Sequence, residues 1–318
     1  LDEVVAAADS ITILRDGKLA AVRQTKDTTI VELAELMIGR KGESVVEAAP
    51  RRAPHERVAL KATDLYVDMP GEEVRGVSIE VYEGEILGIG GLAGQGKLGI
   101  PNGIMSLYDM RGDVEFFGQP LKIGNAGDAL RSGIAMVSED RKGVGLLLDQ
   151  SIEDNIVFNA MQIKGEYLHR LGPITLKNAR AIRKLAEKMI KDLDIRCFSA
   201  TQHAGTLSGG NQQKVCIARA LALGPKFLFV SEPTRGIDIG AKKLVLETLV
   251  RLNREQGMTI VMVSSELQEL RSICDRIAIV SEGKLVDTLV PDTSDADFGL
   301  AMSGIKPAEH HRKGGVPQ

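Results

Sequence analysis

A glycine-rich loop that follows an apolar strand is the feature that most restricts how this chain can fold. The run from Ile86 to Ile89 predicts a short buried strand, and the residues from Gly91 to Lys97 read GLAGQGK. This spacing fits G-x-x-x-x-G-K, in which glycines turn backbone N–H groups toward phosphate oxygens and the lysine supplies an ammonium group. A glycine-rich turn with an incidental lysine is the alternative. The predicted nucleotide contacts are Gly91, Gly94, Gln95, Gly96 and Lys97.

Apolar runs elsewhere predict an α/β domain with a mainly parallel core sheet. Phe227 to Val230 and Ile260 to Val263 are such runs, and each follows a helix-like segment. Between Asn178 and Leu193, apolar residues recur at helical spacing among charged ones, which predicts a helical subdomain inserted in the middle of the domain. The apolar face of that helix consists of Ile182, Leu185, Met189 and Leu193.

A different apolar pattern precedes and follows the glycine-rich loop. Val77, Ile79 and Val81 alternate with polar residues, as in a strand with one buried face. Val114 to Phe117 and the turn Gly118-Gln119-Pro120 continue the pattern. We therefore predict an antiparallel β subdomain beside the core sheet.

Length and composition exclude several classes of protein. The chain has 318 residues, a formal net charge of -3 and three cysteines. No stretch approaches the roughly 18 consecutive apolar residues of a membrane-spanning helix, so a membrane role would need a partner. The charge provides no general attraction for nucleic acid, and we predict no nucleic-acid partner. The widely spaced cysteines indicate reduced thiols rather than a metal site.

The two ends of the chain resemble each other. Leu1 to Lys18 aligns without a gap with Leu267 to Lys284, and Leu, Glu, Asp, Ile, Ile, Gly and Lys recur at the same offsets. Each copy predicts a short helix, an apolar strand and a Gly-Lys turn. The alternative is chance similarity between two common helix–strand units. If the repeat is real, residues 1–40 are the tail of a truncated first copy of the domain.

Residues 207–214 read LSGGNQQK and resemble the signature motif of ATP-binding cassettes, the nucleotide-binding domains of ABC transporters. Asn211 stands where Gln is usual in that family. The resemblance implies an ABC-type P-loop fold and an anion site at a helix N-terminus, which would face a nucleotide held by another cassette. A simple helix cap is the alternative. The implied signature residues are Leu207, Ser208, Gly209, Gly210, Asn211 and Gln212.

The order of other motifs extends this resemblance over residues 57–304. Phe227 to Pro233 is similar to the family's Walker B segment, which implies that Glu232 is the catalytic carboxylate that orients or deprotonates the attacking water. Asp238 corresponds to the D-loop. Ser265 occupies the switch-histidine position and Glu139 the Q-loop position, so both are implied nucleotide contacts.

Several positions depart from the family pattern. Leu98 replaces the hydroxyl residue that reaches Mg²⁺, and Ser231 replaces the Asp that helps to hold the metal. Ser265 lacks the positive charge of a histidine. The loop Asp68 to Gly71, where the family places an aromatic residue against adenine, contains none. We expect ATP as the cofactor, leave the metal ligands unassigned, and expect weak or no hydrolysis at this cassette.

The segments SEDRKGVG from Ser138 and PTRGIDIGAK from Pro233 are similar to the tandem-cassette ATPases of ribose-, galactose- and xylose-type importers. The resemblance implies membrane permease subunits and a second cassette as partners, and indirectly an external sugar-binding protein. It also implies a peripheral position on the cytoplasmic face of the membrane. The predicted domains are 1–40 as a first-cassette tail, 41–56 as a linker, 57–305 as the second cassette and 306–318 as a flexible tail.

Two functions remain open at this stage. In the first, the chain belongs to an ATPase that couples ATP binding and hydrolysis to sugar import. In the second, the cassette is a non-hydrolytic nucleotide-binding or dimerisation module that completes a partner's site. Turnover that depends on Mg²⁺ and on Glu232 would distinguish the two.

Overall fold

The computed structural model describes residues 2–15, 18–28, 33, 56–121, 124–171 and 174–307. The predicted linker 41–56 lies outside the described residues except for residue 56, and so does the predicted tail 306–318 except for residues 306 and 307. The N-terminal part contains helix α1 (Asp2–Ala7) and strands β1 (Ser10–Arg15) and β2 (Lys18–Gln24), followed by a 3₁₀ turn (Thr25–Asp27).

The remaining part alternates strands and helices, as the apolar runs predict. The strands are β3 (Val58–Val67), β4 (Val74–Tyr82), β5 (Ile86–Gly90), β6 (Met110–Phe116), β7 (Gln119–Pro120), β8 (Ile134–Val137), β9 (Leu168–Leu171), β10 (Ile174–Lys177), β11 (Phe227–Ser231), β12 (Thr259–Val263), β13 (Arg276–Ser281) and β14 (Lys284–Leu289). The helices are α2 (Gly99–Ile104), α3 (Ala126–Ser132), α4 (Ile152–Lys164), α5 (Ala179–Asp192), α6 (Gly209–Leu221), α7 (Ile239–Gln256), α8 (Leu267–Ile273) and α9 (Asp295–Met302).

The core is a six-stranded sheet in the order β14-β13-β5-β12-β11-β8. All its neighbours pair in parallel except β13 and β14. Every residue of β5, β11 and β12 is buried, as expected of parallel strands covered on both faces. The predicted parallel core sheet is therefore confirmed.

The predicted antiparallel sheet is also confirmed, in the order β4-β3-β6-β7. The prediction that Gln119 and Pro120 lie in a turn is wrong, because both residues form β7 and pair back onto β6. The turn consists of Phe117 and Gly118, which have φ values of 48° and 74°. Two positive φ values in succession match the two-residue hairpin turn that agrees with the strand twist.

The helical subdomain forms between β8 and β11, where helix α4 packs against α5 and α6. Asn178 caps α5 by accepting a hydrogen bond from the N–H of Ala181, as expected for an amide at that position. The predicted apolar face of this helix is present. Ala186 is also buried on that face, although its small side chain gives little signal in the sequence.

Within the described residues, the first strands of the two similar end segments have corresponding bounds, and their hairpins share an irregularity. In the β1–β2 hairpin Ile13 pairs with Ala21 and Leu14 with Leu19, so the register shifts between Ile13 and Leu14. The β13–β14 hairpin shifts between Ile279 and Val280, which are the residues aligned with them. Since a register shift is a local irregularity, its recurrence at aligned positions supports an internal repeat.

An arginine connects the two sheets. Arg276 of β13 donates to Glu85 through Nε at 3.0 Å and Nη2 at 2.8 Å, and Nη2 also donates to the backbone oxygen of Glu80 in β4 at 2.9 Å. The Glu85 side chain is only 3% exposed. Breaking such a pair leaves an uncompensated buried carboxylate, which is the costly case for an ion pair.

We predict that Arg276→Met lowers the free energy of unfolding by about 3 to 5 kcal/mol, because the buried Glu85 carboxylate loses its charged partner. Lys61→Met is the matched control, since the Lys61–Glu80 pair has a similar N–O distance of 2.9 Å but both side chains are at least 40% exposed. Denaturant unfolding of the two variants measures the contrast. Equal losses of unfolding free energy in both variants would show that the Arg276–Glu85 pair stabilises the fold no more than an exposed ion pair does.

Candidate functional site

The candidate site lies at the carboxyl ends of the core strands. Strand β12 is between β5 and β11 in the sheet, so the loops that follow these three strands are neighbours. The loop after β5 is the glycine-rich segment 91–97, the residue after β11 is Glu232, and Ser265 follows β12. Open α/β sheets bind ligands at this edge, because buried strands leave polar groups to the loops.

The backbone of the glycine-rich loop requires glycine at two places. Gly91 has φ of 150°, and a Cβ there would lie 2.2 Å from the backbone oxygen of Val280. Gly96 has φ of 94°, and a Cβ there would lie 2.5 Å from the backbone oxygen of Glu73. A side chain at either position would force the backbone apart, so these glycines determine the shape of the loop.

Backbone N–H groups of this loop converge on one carboxylate, that of Glu72. Gly94 donates to Oε1 at 3.0 Å, and Gly96 and Leu98 donate to Oε2 at 2.9 and 3.1 Å. The Glu72 residue is 8% exposed. The loop therefore binds a carboxylate of the chain itself, and its predicted contacts with a nucleotide phosphate stay a prediction. The sequence analysis missed Glu72, whose only signal is an acidic pair after the Pro70-Gly71 turn.

Three predicted site residues come together beside the loop. Ser265 Oγ donates to Glu232 Oε1 at 2.6 Å, and Lys97 Nζ lies 3.9 Å from the same oxygen. The Lys97 side chain is 1% exposed, and its Nζ also donates to the backbone oxygen of Leu92 at 3.2 Å. A cation, a carboxylate and a hydroxyl thus meet at the carboxyl ends of β5, β11 and β12.

Glu232 has an unusual backbone conformation, with φ of 46°. A non-glycine residue in the left-handed region costs free energy and persists where the surroundings enforce it. Here the N–H of Glu232 donates to the backbone oxygen of Val263 at 2.8 Å, which holds the residue against the end of β12. This geometry aims the carboxylate at Lys97 and Ser265.

A buried network supports the loops after β11 and β12. Thr234 donates to Glu269 Oε1, and Ser264 Oγ donates to Oε2 at 2.9 Å. Lys242 forms ion pairs with Glu269, at 3.3 Å, and with Glu266. Burial raises the pKa of the Glu269 carboxyl above its ordinary value. The network ties both loops to helices α7 and α8 and so fixes Glu232 and Ser265 indirectly.

The signature residues lie at the start of α6. Ser208 is the exposed N-cap, and its Oγ accepts a hydrogen bond from Asn211 Nδ2 at 3.0 Å. Asn211 Oδ1 in turn accepts from the N–H of Arg196 at 2.9 Å. A Cβ at Gly210 would lie 2.5 Å from that of Ala241, so this glycine lets α6 approach α7. Leu207 and Gln212 are buried and hold the segment in place.

A comparison with protein families identifies the cassette. The model of the ABC transporter family matches residues 74–235, just over half of the chain. The chain belongs to the ABC transporter family. Among the described residues of this ABC cassette, no helix is both long and apolar enough to cross a membrane.

Curated relatives of the ABC cassette are similar over nearly its whole length. The ribose import ATP-binding protein RbsA 2 of Rhizobium meliloti is 38% identical over 96% of this chain and 58% of its own. A putative ribose/galactose/methyl galactoside import ATP-binding protein of Agrobacterium fabrum is 38% identical over 97% of this chain and 60% of its own. The chain thus spans less than two thirds of the length of these relatives.

Solved structures support the fold. A dimeric ATP-binding cassette in a post-hydrolysis state, bound to ADP and Pi, matches 74% of this chain with a TM-score of 0.61 and 23% identity. An ATP-binding cassette of another ABC transporter matches 78% with a TM-score of 0.65 and 18% identity. At these identities the likeness concerns the ABC ATPase fold alone.

The other predicted site residues of this ABC cassette form hydrogen bonds within the protein. Gln95 Oε1 accepts a hydrogen bond from the N–H of Glu282, so it is bound to the β13–β14 turn. Glu139 follows β8, two strands away from β12, and accepts from Ser138 Oγ at 3.2 Å. Asp238 caps α7 by accepting from the N–H of Ala241 at 2.9 Å. Their predicted roles at the nucleotide stay predictions.

The donor set does not fit Mg²⁺. Leu98 packs against the hydrophobic core and has no side-chain oxygen. Ser231 is fully buried at the end of β11, and its Oγ has no hydrogen-bond partner. Mg²⁺ in nucleotide sites is held by carboxylate, hydroxyl and phosphate oxygens in an octahedral arrangement. At the two positions where the ABC family holds the metal, the chain has a leucine, which cannot coordinate a cation, and a serine whose hydroxyl is buried.

We predict that Gly99→Ala destabilises the protein by about 1 to 3 kcal/mol, although alanine favours a helix. A Cβ at Gly99 in α2 would lie 2.2 Å from the backbone oxygen of Glu72 and 2.7 Å from Val74 Cγ2. Gly299→Ala in α9 is the control, because nothing lies within 4 Å of that Cβ, and it should add about 0.5 to 1 kcal/mol. Thermal or denaturant unfolding tests both variants. Stabilisation by Gly99→Ala would contradict the close approach of the Glu72 turn.

Proposed function

We propose that the chain is part of the ATP-binding subunit of a simple-sugar importer, and that its cassette completes the ATP site of a partner cassette. In this proposal the cassette itself hydrolyses ATP weakly or not at all. The observation that carries the proposal is the contrast between its two half-sites: an exposed signature serine and a phosphate loop without metal ligands.

The phosphate-loop half is poorly equipped for hydrolysis. Phosphoryl transfer depends on a metal and cations that stabilise the charge of the transition state, and loss of one such contact typically costs about a hundredfold or more in rate. Leu98 and Ser231 remove two metal contacts, and Ser265 replaces a histidine. Glu232 remains as the candidate base, but its Oε1 is occupied by Ser265 Oγ at 2.6 Å.

The signature half is built to meet an anion. Ser208 lies at the N-terminus of a 13-residue helix, where free N–H groups and the helix dipole favour negative charge. Asn211 bridges the Ser208 hydroxyl and the N–H of Arg196, which fixes the orientation of the serine. Such a surface suits the terminal phosphate of ATP held by a second cassette.

We also propose that residues 1–40 are the tail of a first cassette. The matching register shifts of the β1–β2 and β13–β14 hairpins support this reading. So does Leu33, which is fully buried with Ile11 and Ile13 in a small cluster of its own. A first cassette would be a natural partner for the signature of the second.

The names of the relatives support a sugar as the cargo. One is described as a ribose import ATP-binding protein, and another as a putative import ATP-binding protein for ribose, galactose and methyl galactoside. The remaining partners follow from that class: membrane permease subunits in direct contact and an external sugar-binding protein in indirect contact. The proposed location is the cytoplasmic face of the membrane.

The first test is ATP turnover by the purified chain. We expect no turnover above background with Mg²⁺, because the donor set does not fit the metal, and no change on Glu232→Gln. Release of inorganic phosphate measures both. Mg²⁺-dependent turnover that Glu232→Gln abolishes would show a working motor and contradict the silent-cassette proposal.

The second test places the chain in a longer relative, of which the aligned residues make up 58%. A chimera replaces the 309 aligned residues of the Rhizobium meliloti ribose protein, in cells that lack their own copy. We expect ribose uptake, its loss on Ser208→Arg at the signature, and no loss on Glu232→Gln. Chimeric protein in the membrane fraction serves as the expression control. Uptake that withstands Ser208→Arg would refute the signature role, and absence of uptake from an expressed chimera would count against ribose-type import.

A further inference from the structure

We propose that Glu72 is an internal ligand of this cassette's phosphate loop, a carboxylate that takes the place of a nucleotide phosphate and excludes ATP while it is bound. The inference rests on the proposed function in one respect: it takes the loop from Gly91 to Lys97 as the cassette's phosphate site. It goes further by naming the group that closes the site.

The hydrogen bonds of Glu72 are those that a phosphate would make. Gly94, Gly96 and Leu98 each direct one N–H to the carboxylate, at distances between 2.9 and 3.1 Å. Hydrogen bonds to an ionised acceptor are stronger than neutral ones, and successive N–H groups in a turn form an anion-binding concavity. Each N–H has one proton, so the same three donors cannot serve Glu72 and a phosphate at full strength.

The backbone around Glu72 fits the loop as closely as its side chain does. The backbone oxygen of Glu72 would be 2.2 Å from a Cβ at Gly99, and that of Glu73 would be 2.5 Å from a Cβ at Gly96. The Glu72 N–H donates to the oxygen of Met69 at 2.9 Å, which closes the turn that carries the carboxylate. Gly99 is therefore explained by the approach of this turn.

The other charged groups of the site are engaged elsewhere. Lys97, the cation of the loop, donates to the oxygen of Leu92 and lies 3.9 Å from Glu232. The charge of Glu72 is thus balanced by backbone N–H groups. Removing the carboxylate leaves donors that water or a phosphate can satisfy, and it leaves no paired lysine or arginine behind among the interactions described.

The experiment measures ATP binding by titration calorimetry, with EDTA and with Mg²⁺, to the wild-type chain and three variants. Glu72→Ala frees the three N–H donors, and we expect at least tenfold tighter binding than wild type. Glu72→Gln keeps the shape but loses the charge and turns an NH₂ group toward the donors, so its affinity should lie between the two. Glu73→Gln is the matched control: Glu73 is adjacent, exposed and acidic, and ATP affinity should not change.

A second substitution tests whether the tighter ATP binding of Glu72→Ala occurs at the glycine-rich loop. Lys97→Ala added to Glu72→Ala should abolish the gain, because the loop cation contacts phosphate. Gained binding that survives Lys97→Ala would place ATP elsewhere and overturn the proposal. So would equal affinities of wild type, Glu72→Ala and Glu72→Gln. If Glu72→Ala fails to fold by circular dichroism, Glu72→Gln decides in its place.

The two proposals fail separately. ATP turnover by the wild-type chain that requires Glu232 contradicts the silent-cassette function, and it is scored on phosphate release. Failure of the Glu72 proposal is scored on affinity among variants, whether or not the wild type turns over. A wild-type chain without turnover whose affinity is unchanged by Glu72→Ala therefore overturns the internal ligand alone.

Discussion

Burial of parallel strands on both faces is the constraint on which the rest of this molecule depends. Every residue of β5, β11 and β12 is inaccessible, so these strands carry no exposed polar chemistry along their length. Polar groups can appear only where the strands end, and parallel pairing brings those ends to one edge. Lys97, Glu232 and Ser265 meet for that reason, although they are far apart in the chain. The same edge receives the turn that carries Glu72.

The backbone of a phosphate-type loop does not by itself decide which anion the loop holds. A loop with inward N–H groups attracts any suitably placed negative group, and here the nearest one is a carboxylate of the same chain. The absence of metal ligands at residues 98 and 231 also favours the carboxylate, because a phosphate without its cation competes less well for the N–H groups of the loop. Under the proposed function, the missing metal ligands and the internal ligand Glu72 both disfavour a nucleotide at this loop.

The long, strongly patterned elements were predictable from the sequence, and the irregular contacts were not. The parallel strands and the amphipathic helix α5 follow from apolar spacing, and the similarity of the two end segments follows from identical residues at the same offsets. The turn was predicted at residues 118–120 and lies at Phe117 and Gly118, because a positive φ at a phenylalanine has no signal in the composition. Ala186 was missed because a small side chain contributes little to periodicity. The hydrogen bond that Gln95 Oε1 accepts from the N–H of Glu282, a partner 187 residues away, has no signal in the local sequence.

The sequence by itself determined the chemical inventory of the site: a glycine-rich loop with a lysine, one candidate base in Glu232, a serine in a signature-like motif, and no side-chain oxygen at residue 98. These properties depend on residue identity and on short-range spacing, which a sequence states directly. Only the tertiary structure decided how the inventory is used. Whether the loop's N–H groups face Glu72 or open space depends on how closely the 68–73 turn approaches residues 94–99. That distance depends on the hydrophobic cluster in which the antiparallel sheet packs against β5 and α2. Contacts of this kind join residues more than 20 positions apart, where local pattern carries no information.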